Sequence, residues 1–305
     1  MKTLTIPQLP MPSSRLIYGC MRISGDNSQQ DREKGKRAIE AAIDEGYNHF
    51  DHADIYGGGE CESIFGEVLK AQPHLRNKVL ITSKAGIRFA NTPVAGEVGR
   101  YDFSHNYLIK QVEGSLKRLN VDALDMFLLH RPDYLFNAED VAHTLNELRQ
   151  SGKVKHFGVS NFSASQLELL QSKMTDSLLV NQIEINIHNI DAFSNGTLDQ
   201  CQQYGITPMA WCPIATVAYE AWGNTFSDED VARIQQEYQR QADFYGCEQW
   251  VIALAWLLIN PAQICPIIGS TNPERITMAK QALDLDYRHE DWYRLLEARN
   301  GHPVP

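Results

Sequence analysis

Short apolar runs alternate with longer stretches of helical period along the whole of this 305-residue chain, and few architectures satisfy such an alternation. After a hairpin-like start over residues 3–6, the apolar runs fall at residues 16–19, 47–50, 79–83, 123–129, 156–159, 178–181, 207–211 and 264–268. The segments between them carry stripes three and four residues apart: Ala38, Ile39, Ala42 and Ile43; Ile64, Phe65, Val68 and Leu69; Leu108, Val112, Leu116 and Leu119. Ser163 with Gln166 reads as a capping box, Ser227 as a second helix cap, and Pro273 as a first-turn proline. Helical crossovers return each strand in the same direction, so the strands are parallel. Eight strand-helix units, no linker-like run between halves and no Gly-x-Gly-x-x-Gly after the first strand favour a closed (β/α)8 TIM barrel over an open doubly wound sheet. The expectation is a single domain over 1–305, with a short N-terminal hairpin and extra C-terminal helices.

Composition narrows the partners. The formal net charge is -10 with both signs interspersed, which argues against nucleic acid and against a polybasic membrane contact. The N-terminus lacks the apolar core of a signal peptide, and the longest apolar run, 250–259, is half the length of a spanning helix. The six cysteines form no Cys-x-x-Cys pair and have no histidine at metal-ligand spacing, so reduced thiols, no metal and a cytoplasmic location are expected.

In a parallel barrel the functional residues gather at the C-terminal ends of the strands. The second, third and fourth runs lead into Asp51, Lys84 and His130, and Tyr56 hangs from the loop after Asp51. Each alone suits a turn or a solvated strand end. Together they have a chemical logic: an ammonium beside a phenol stabilises the phenolate and draws its pKa down, a carboxylate holds the ammonium, and an imidazole orients a carbonyl oxygen. Such a site can protonate a developing alkoxide, the demand of carbonyl reduction. It has no hydride of its own, which calls for a nicotinamide cofactor.

The chain resembles the aldo-keto reductase family over essentially its full length. The resemblance is carried by Asp51-His52-Ala53-Asp54-Ile55-Tyr56-Gly57, Lys84, His130-Arg131-Pro132, Gly158-Val159-Ser160-Asn161-Phe162, Val180-Asn181-Gln182 and Pro266-Ile267-Ile268-Gly269-Ser270. It looks closest to a bacterial oxidoreductase branch reading Asp-His-Ala-Asp-Ile-Tyr-Gly-Gly. The resemblance implies that Tyr56 is the proton donor, assisted by Asp51, Lys84 and His130. It further implies that Ser160, Asn161 and Gln182 bind the nicotinamide carboxamide, that Trp211 stacks on its ring, and that Met21 and Asp51 touch the same end. Cys212, Pro213 and Ile214 would follow the pyrophosphate through backbone contacts, a thiol being a weaker donor than the family's usual hydroxyl. Gly269, Ser270, Thr271 and Arg275 would hold the adenosine phosphate, with Ser270 and Thr271 capping the helix and Arg275 facing a 2′-phosphate, which favours NADPH over NADH. Thr277 to Lys280 depart from the Glu-Asn pair that the family often sets against adenine.

The expected activity is NADPH-dependent reduction of aldehydes or ketones, with a small-molecule carbonyl as partner. A cofactor-binding regulatory subunit of marginal turnover is the alternative. Residues 85–103, residues 213–226 and the tail from Glu297 would select the substrate. Ile87, Phe89, Tyr101, Tyr219 and Trp222 point to a mainly apolar pocket without a basic cluster for a sugar phosphate or carboxylate, an option that Arg22, Arg88 and Arg131 leave open. His52 and Asp54 are expected to be structural, and Gly57 to Gly59 to turn the loop.

Overall fold

The computed structural model describes all residues from Met1 to Pro305. Its strands are β1 (Thr3–Leu4), β2 (Ser13–Ser14), β3 (Ile17–Gly19), β4 (His49–Asp51), β5 (Leu80–Ala85), β6 (Ile87–Arg88), β7 (Arg100–Tyr101), β8 (Leu124–Leu129), β9 (Val154–Ser160), β10 (Leu178–Glu184), β11 (Thr207–Trp211) and β12 (Cys265–Ile268). The helices are α1 (Gln29–Asp44), α2 (Glu60–Ala71), α3 (His105–Leu119), α4 (Ala138–Gln150), α5 (Ala164–Gln171), α6 (Thr197–Tyr204), α7 (Asp228–Tyr245), α8 (Gln249–Leu258), α9 (Pro273–Met278) and α10 (His289–Asn300). Eight parallel strands close in the order β3, β4, β5, β8, β9, β10, β11, β12 and back to β3, so the (β/α)8 barrel is as expected. Strands β4 and β10 stand diametrically opposite one another in this ring.

The two-residue period of the strands divides each between lumen and helix layer. On β4, Phe50 faces outward and packs on Tyr18 and Phe65, at ring separations of 5.7 and 4.9 Å. Its neighbours His49 and Asp51 turn inward. His49 bridges Ser13 Oγ (2.8 Å) and Thr82 Oγ1 (2.7 Å) near the hairpin end, while Asp51 meets Lys84 at the other. Between these polar layers Ile17, Met126, Leu128, Met209 and Ile267 fill the lumen, with Ile6 of the N-terminal segment packed among them. A larger apolar layer joins the strands to the surrounding helices and contains the wholly apolar face of α8. Fully burying one Leu or Ile side chain in such a layer contributes about 1.5–3 kcal/mol. At the C-terminal side Trp256 and Trp292 stack at 5.1 Å and exchange indole-to-carbonyl hydrogen bonds, which docks α10 on α8.

The expected capping box at Ser163 and helix cap at Ser227 are both present, the latter also as a capping box with Asp230. Three local expectations are corrected. Strand β5 runs to Ala85, so Lys84 lies within it rather than beyond its end. The stretch after it is not all loop, because β6 and β7 form an antiparallel ribbon that pairs Ile87 with Tyr101. Helix α9 is capped by Asn272, whose side chain accepts from Glu274 N, and not by Ser270 or Thr271; Ser270 Oγ instead accepts the Asn272 amide at 3.2 Å. No helix is long and apolar enough to cross a membrane, and all six cysteines are free thiols.

Candidate active site

Backbone hydrogen bonds fix the strand ends from which the site is built: His52 N donates to Thr82 O, Asp54 N to Lys84 O, and His130 N to Ala85 O. The chain then turns sharply at Tyr56–Gly59. Gly57 has φ of 56° and Gly59 φ of 98°, left-handed values that a side chain resists, and a Cβ on Gly59 would lie 2.8 Å from Arg118 Cδ. This turn brings Tyr56 back over the barrel mouth.

There the structure brings Asp51, Tyr56, Lys84 and His130 together. Lys84 Nζ donates to both carboxylate oxygens of Asp51 at 2.7 Å and to His52 O at 2.8 Å, with the ion pair almost fully enclosed. The ammonium lies 5.1 Å from the centre of the Tyr56 ring, and the His130 ring meets Tyr56 edge-on at 6.0 Å. Burial, reinforced by the charges of Lys84 and Arg131, holds the His130 imidazole well below its usual pKa, so it is neutral at pH 7.

One electrostatic expectation is overturned. The Tyr56 phenol is raised well above its ordinary pKa, by burial first and the Asp51 charge second, rather than lowered by Lys84. The physical reason is visible in the bonding. All three ammonium protons of Lys84 are committed to Asp51 and His52, and Asp51 cancels its charge. Tyr56 therefore rests as a fully protonated phenol.

The amide residues are also brought together, and they are wired to one another. Ser160 Oγ donates to Gln182 O at 2.8 Å, and Gln182 Nε2 donates across the lumen to Asp51 Oδ1 at 2.8 Å. Asn161, at φ of 61°, donates through Nδ2 to His130 O (3.2 Å) and to Ser160 Oγ (2.9 Å), while its Oδ1 accepts the Trp211 indole N–H at 2.9 Å. Asn161 thus couples the indole to the histidine strand end.

Beyond Trp211, Cys212 adopts φ of 50° and its carbonyl accepts from Asn186 Nδ2 at 3.1 Å. Burial is the main cause that raises the pKa of both its thiol and the Tyr219 phenol. Pro213 is buried and Ile214 half-buried. Ser270 O accepts from the Tyr18 hydroxyl at 2.9 Å, which pins the Gly269-Ser270-Thr271 segment above β3 and β12. Arg275 is exposed beside it, and Met21 is 51% exposed at the end of β3. Lys280 and Thr277 are both occupied by Glu45.

Sequence reasoning missed a buried polar cluster beneath this site. Glu62 accepts from Ser83 Oγ (2.6 Å) and pairs with Arg118 (2.7 Å), and burial with the nearby Glu62 charge pushes the Asp54 carboxyl up to about 7. The signal was present, since Glu62 lies on the stripe of α2 that carries Phe65 and Leu69.

With this geometry in view, the comparisons with known proteins are direct. A model of the aldo/keto reductase family matches residues 15–300, and the chain belongs to that family. Its relatives include the oxidoreductase YdhF of Escherichia coli, 41% identical over 88% of each chain. They also include a 6-dehydroglucose reductase of Agrobacterium fabrum, 38% identical over 95% of this chain and 96% of that one. Among solved structures, a thermostable aldo-keto reductase in complex with the inhibitor epalrestat superposes with a TM-score of 0.82 at 25% identity, covering 98% of this chain and 100% of that one. The protein is accordingly an oxidoreductase of carbonyl and alcohol groups, and its reductase relatives favour an enzyme over the regulatory-subunit alternative.

Proposed function

We propose that this protein reduces aldehydes or ketones to alcohols with NADPH, using Tyr56 as the proton donor. The observation that carries the reading is the enclosed Asp51–Lys84 pair beneath Tyr56, with a neutral His130 edge-on to the phenol. The residues present fit the cofactor. Ser160, Asn161 and Gln182 offer the mixed donors and acceptors that an amide needs, and Trp211 offers a flat platform. The Cys212-Pro213-Ile214 backbone suits the pyrophosphate, since a thiol is a weaker donor than a hydroxyl. Ser270 and Thr271 would meet the adenosine phosphate, and the exposed Arg275 makes no ion pair within the chain, as a residue reserved for a 2′-phosphate would not. Met21 and Asp51 complete the nicotinamide end.

When bound, NADPH supplies the hydride to the carbonyl carbon. His130, kept neutral, places the carbonyl oxygen against the Tyr56 hydroxyl. As negative charge grows on that oxygen, the phenol proton crosses to it, and carbonyl, hydride and proton together make the alcohol. The phenolate left behind faces the Lys84 ammonium, which Asp51 and the His52 carbonyl hold in place, and it regains its proton from water. The resting pKa of Tyr56 means that the phenol gives up its proton only against the developing alkoxide, a far stronger base. NADPH consumption with a panel of aldehydes, sugar aldehydes included, tests the reading beside Tyr56→Phe. Loss of about a hundredfold or more in turnover is expected, and wild-type turnover in the variant would remove Tyr56 from the mechanism.

A further inference from the structure

The three arginines near the mouth have different fates. Arg88 is consumed by Asp102 at 2.6 Å and by the Tyr107 ring. Arg22 lies over Tyr219. Arg131 directly follows His130, half-buried, and its guanidinium lies 5.7 Å from the centre of the Trp211 ring and 5.6 Å from that of Trp222. It crosses the mouth from the end of β8 to the loop after β11, above the Asn161 bridge that links His130 to Trp211. The two indoles hold the cation by their ring faces, and none of the five guanidinium donors is spent on a hydrogen bond or ion pair within the chain. No carboxylate lies within salt-bridge distance of it. The nearby acids are committed elsewhere: Asp51 to Lys84, Asp102 to Arg88, Asp133 to the backbone of Phe103 and Leu135, and Glu184 to Asn186.

A cation without an ion pair in the chain, held by aromatic rings one residue from the imidazole that positions the carbonyl, suits the recognition of an anion. Resting on the carbonyl-reductase reading above, we propose that Arg131 is a specificity-determining residue, which binds a carboxylate carried by the carbonyl substrate a few atoms from the reacting carbon. The contacts with Trp211 and Trp222 restrict the rotamers of Arg131, so a carboxylate can take two parallel N–H···O bonds from its fork at a reduced entropic cost. The expectation of a mainly apolar pocket is thereby modified: aromatic walls remain, with one charged contact at their centre.

The test compares 4-carboxybenzaldehyde, its neutral isostere 4-carbamoylbenzaldehyde and the neutral polyol D-glyceraldehyde, in the wild type, Arg131→Met and Arg131→Lys. The wild type should prefer the carboxylate over the carbamoyl compound by about ten- to a hundredfold in kcat/KM, the range of charge-assisted bonds. That preference should collapse toward unity in Arg131→Met and be only partly kept in Arg131→Lys, which has charge without the fork. As a readout apart from turnover, 4-(hydroxymethyl)benzoate should quench tryptophan fluorescence in the wild type and not in Arg131→Met. A carboxylate preference that survives Arg131→Met overturns the proposal, as does a loss confined to D-glyceraldehyde, which would make the arginine a reader of hydroxyls. If no aldehyde oxidises NADPH while the benzoate still quenches through Arg131, the fault lies with the carbonyl-reductase reading and not with the anion site.

Discussion

Replacing Lys84 by methionine removes three charge-assisted hydrogen bonds and strands Asp51, which is only 2% exposed. Breaking a buried pair from one side costs about 3–5 kcal/mol, because the remaining charge keeps its desolvation penalty. Gln182 still donates to Asp51 Oδ1, which places the expected loss near the lower end, at about 3 kcal/mol. Against a typical stability of about 5–15 kcal/mol the variant should fold. Urea unfolding followed by tryptophan fluorescence should read this deficit as a lowered midpoint. Adding Asp51→Leu should recover part of it, leaving the unpaired Gln182 amide to cost about 1–3 kcal/mol. A Lys84→Met variant within about 1 kcal/mol of wild type would refute the argument that this pair is a buried and mutually compensating unit.

Asp54→Asn should flatten the stability profile between pH 4 and 8. With a folded pKa of about 7 against 3.8, Asp54 lowers stability by up to about 4 kcal/mol as pH rises through that window, and thermal unfolding of the two proteins at pH 5 and 8 measures it. Gly59→Ala should cost about 1–3 kcal/mol from its left-handed backbone, with a further penalty from the Arg118 contact, read as a lower urea midpoint. Arg275→Ala should raise KM for NADPH by about five- to tenfold, near 1 kcal/mol for one exposed charge contact, and leave KM for NADH unmoved; an equal rise for both would take Arg275 off the 2′-phosphate.

The barrel and the meeting of Asp51, Tyr56, Lys84 and His130 were legible because both follow from local pattern. Alternation marks the strands, and in a parallel barrel every strand ends on the same face. What escaped the sequence depends on partners far apart in the chain. Nothing near Gln182 says that its amide reaches Asp51, and nothing near Trp211 says that its indole is held by Asn161. The direction of the Tyr56 shift was misread for a related reason. Residue types reveal that a lysine is near a phenol, but not that all of its protons are already given away. The β6–β7 ribbon was obscured because each strand is only two residues long.

The hydrogen bond from Gln182 to Asp51 joins strands on opposite sides of the ring and spans 131 positions of sequence. It acts as a strut at the height of the reactive groups, so the width of the barrel there and the placement of the acid-base residues are a single variable. If the chain were divided between β5 and β8 and the fragments mixed, neither piece would hold a complete acid-base apparatus. Reductase activity would return only as fast as the strut re-formed, which makes turnover a direct clock for closure of the barrel.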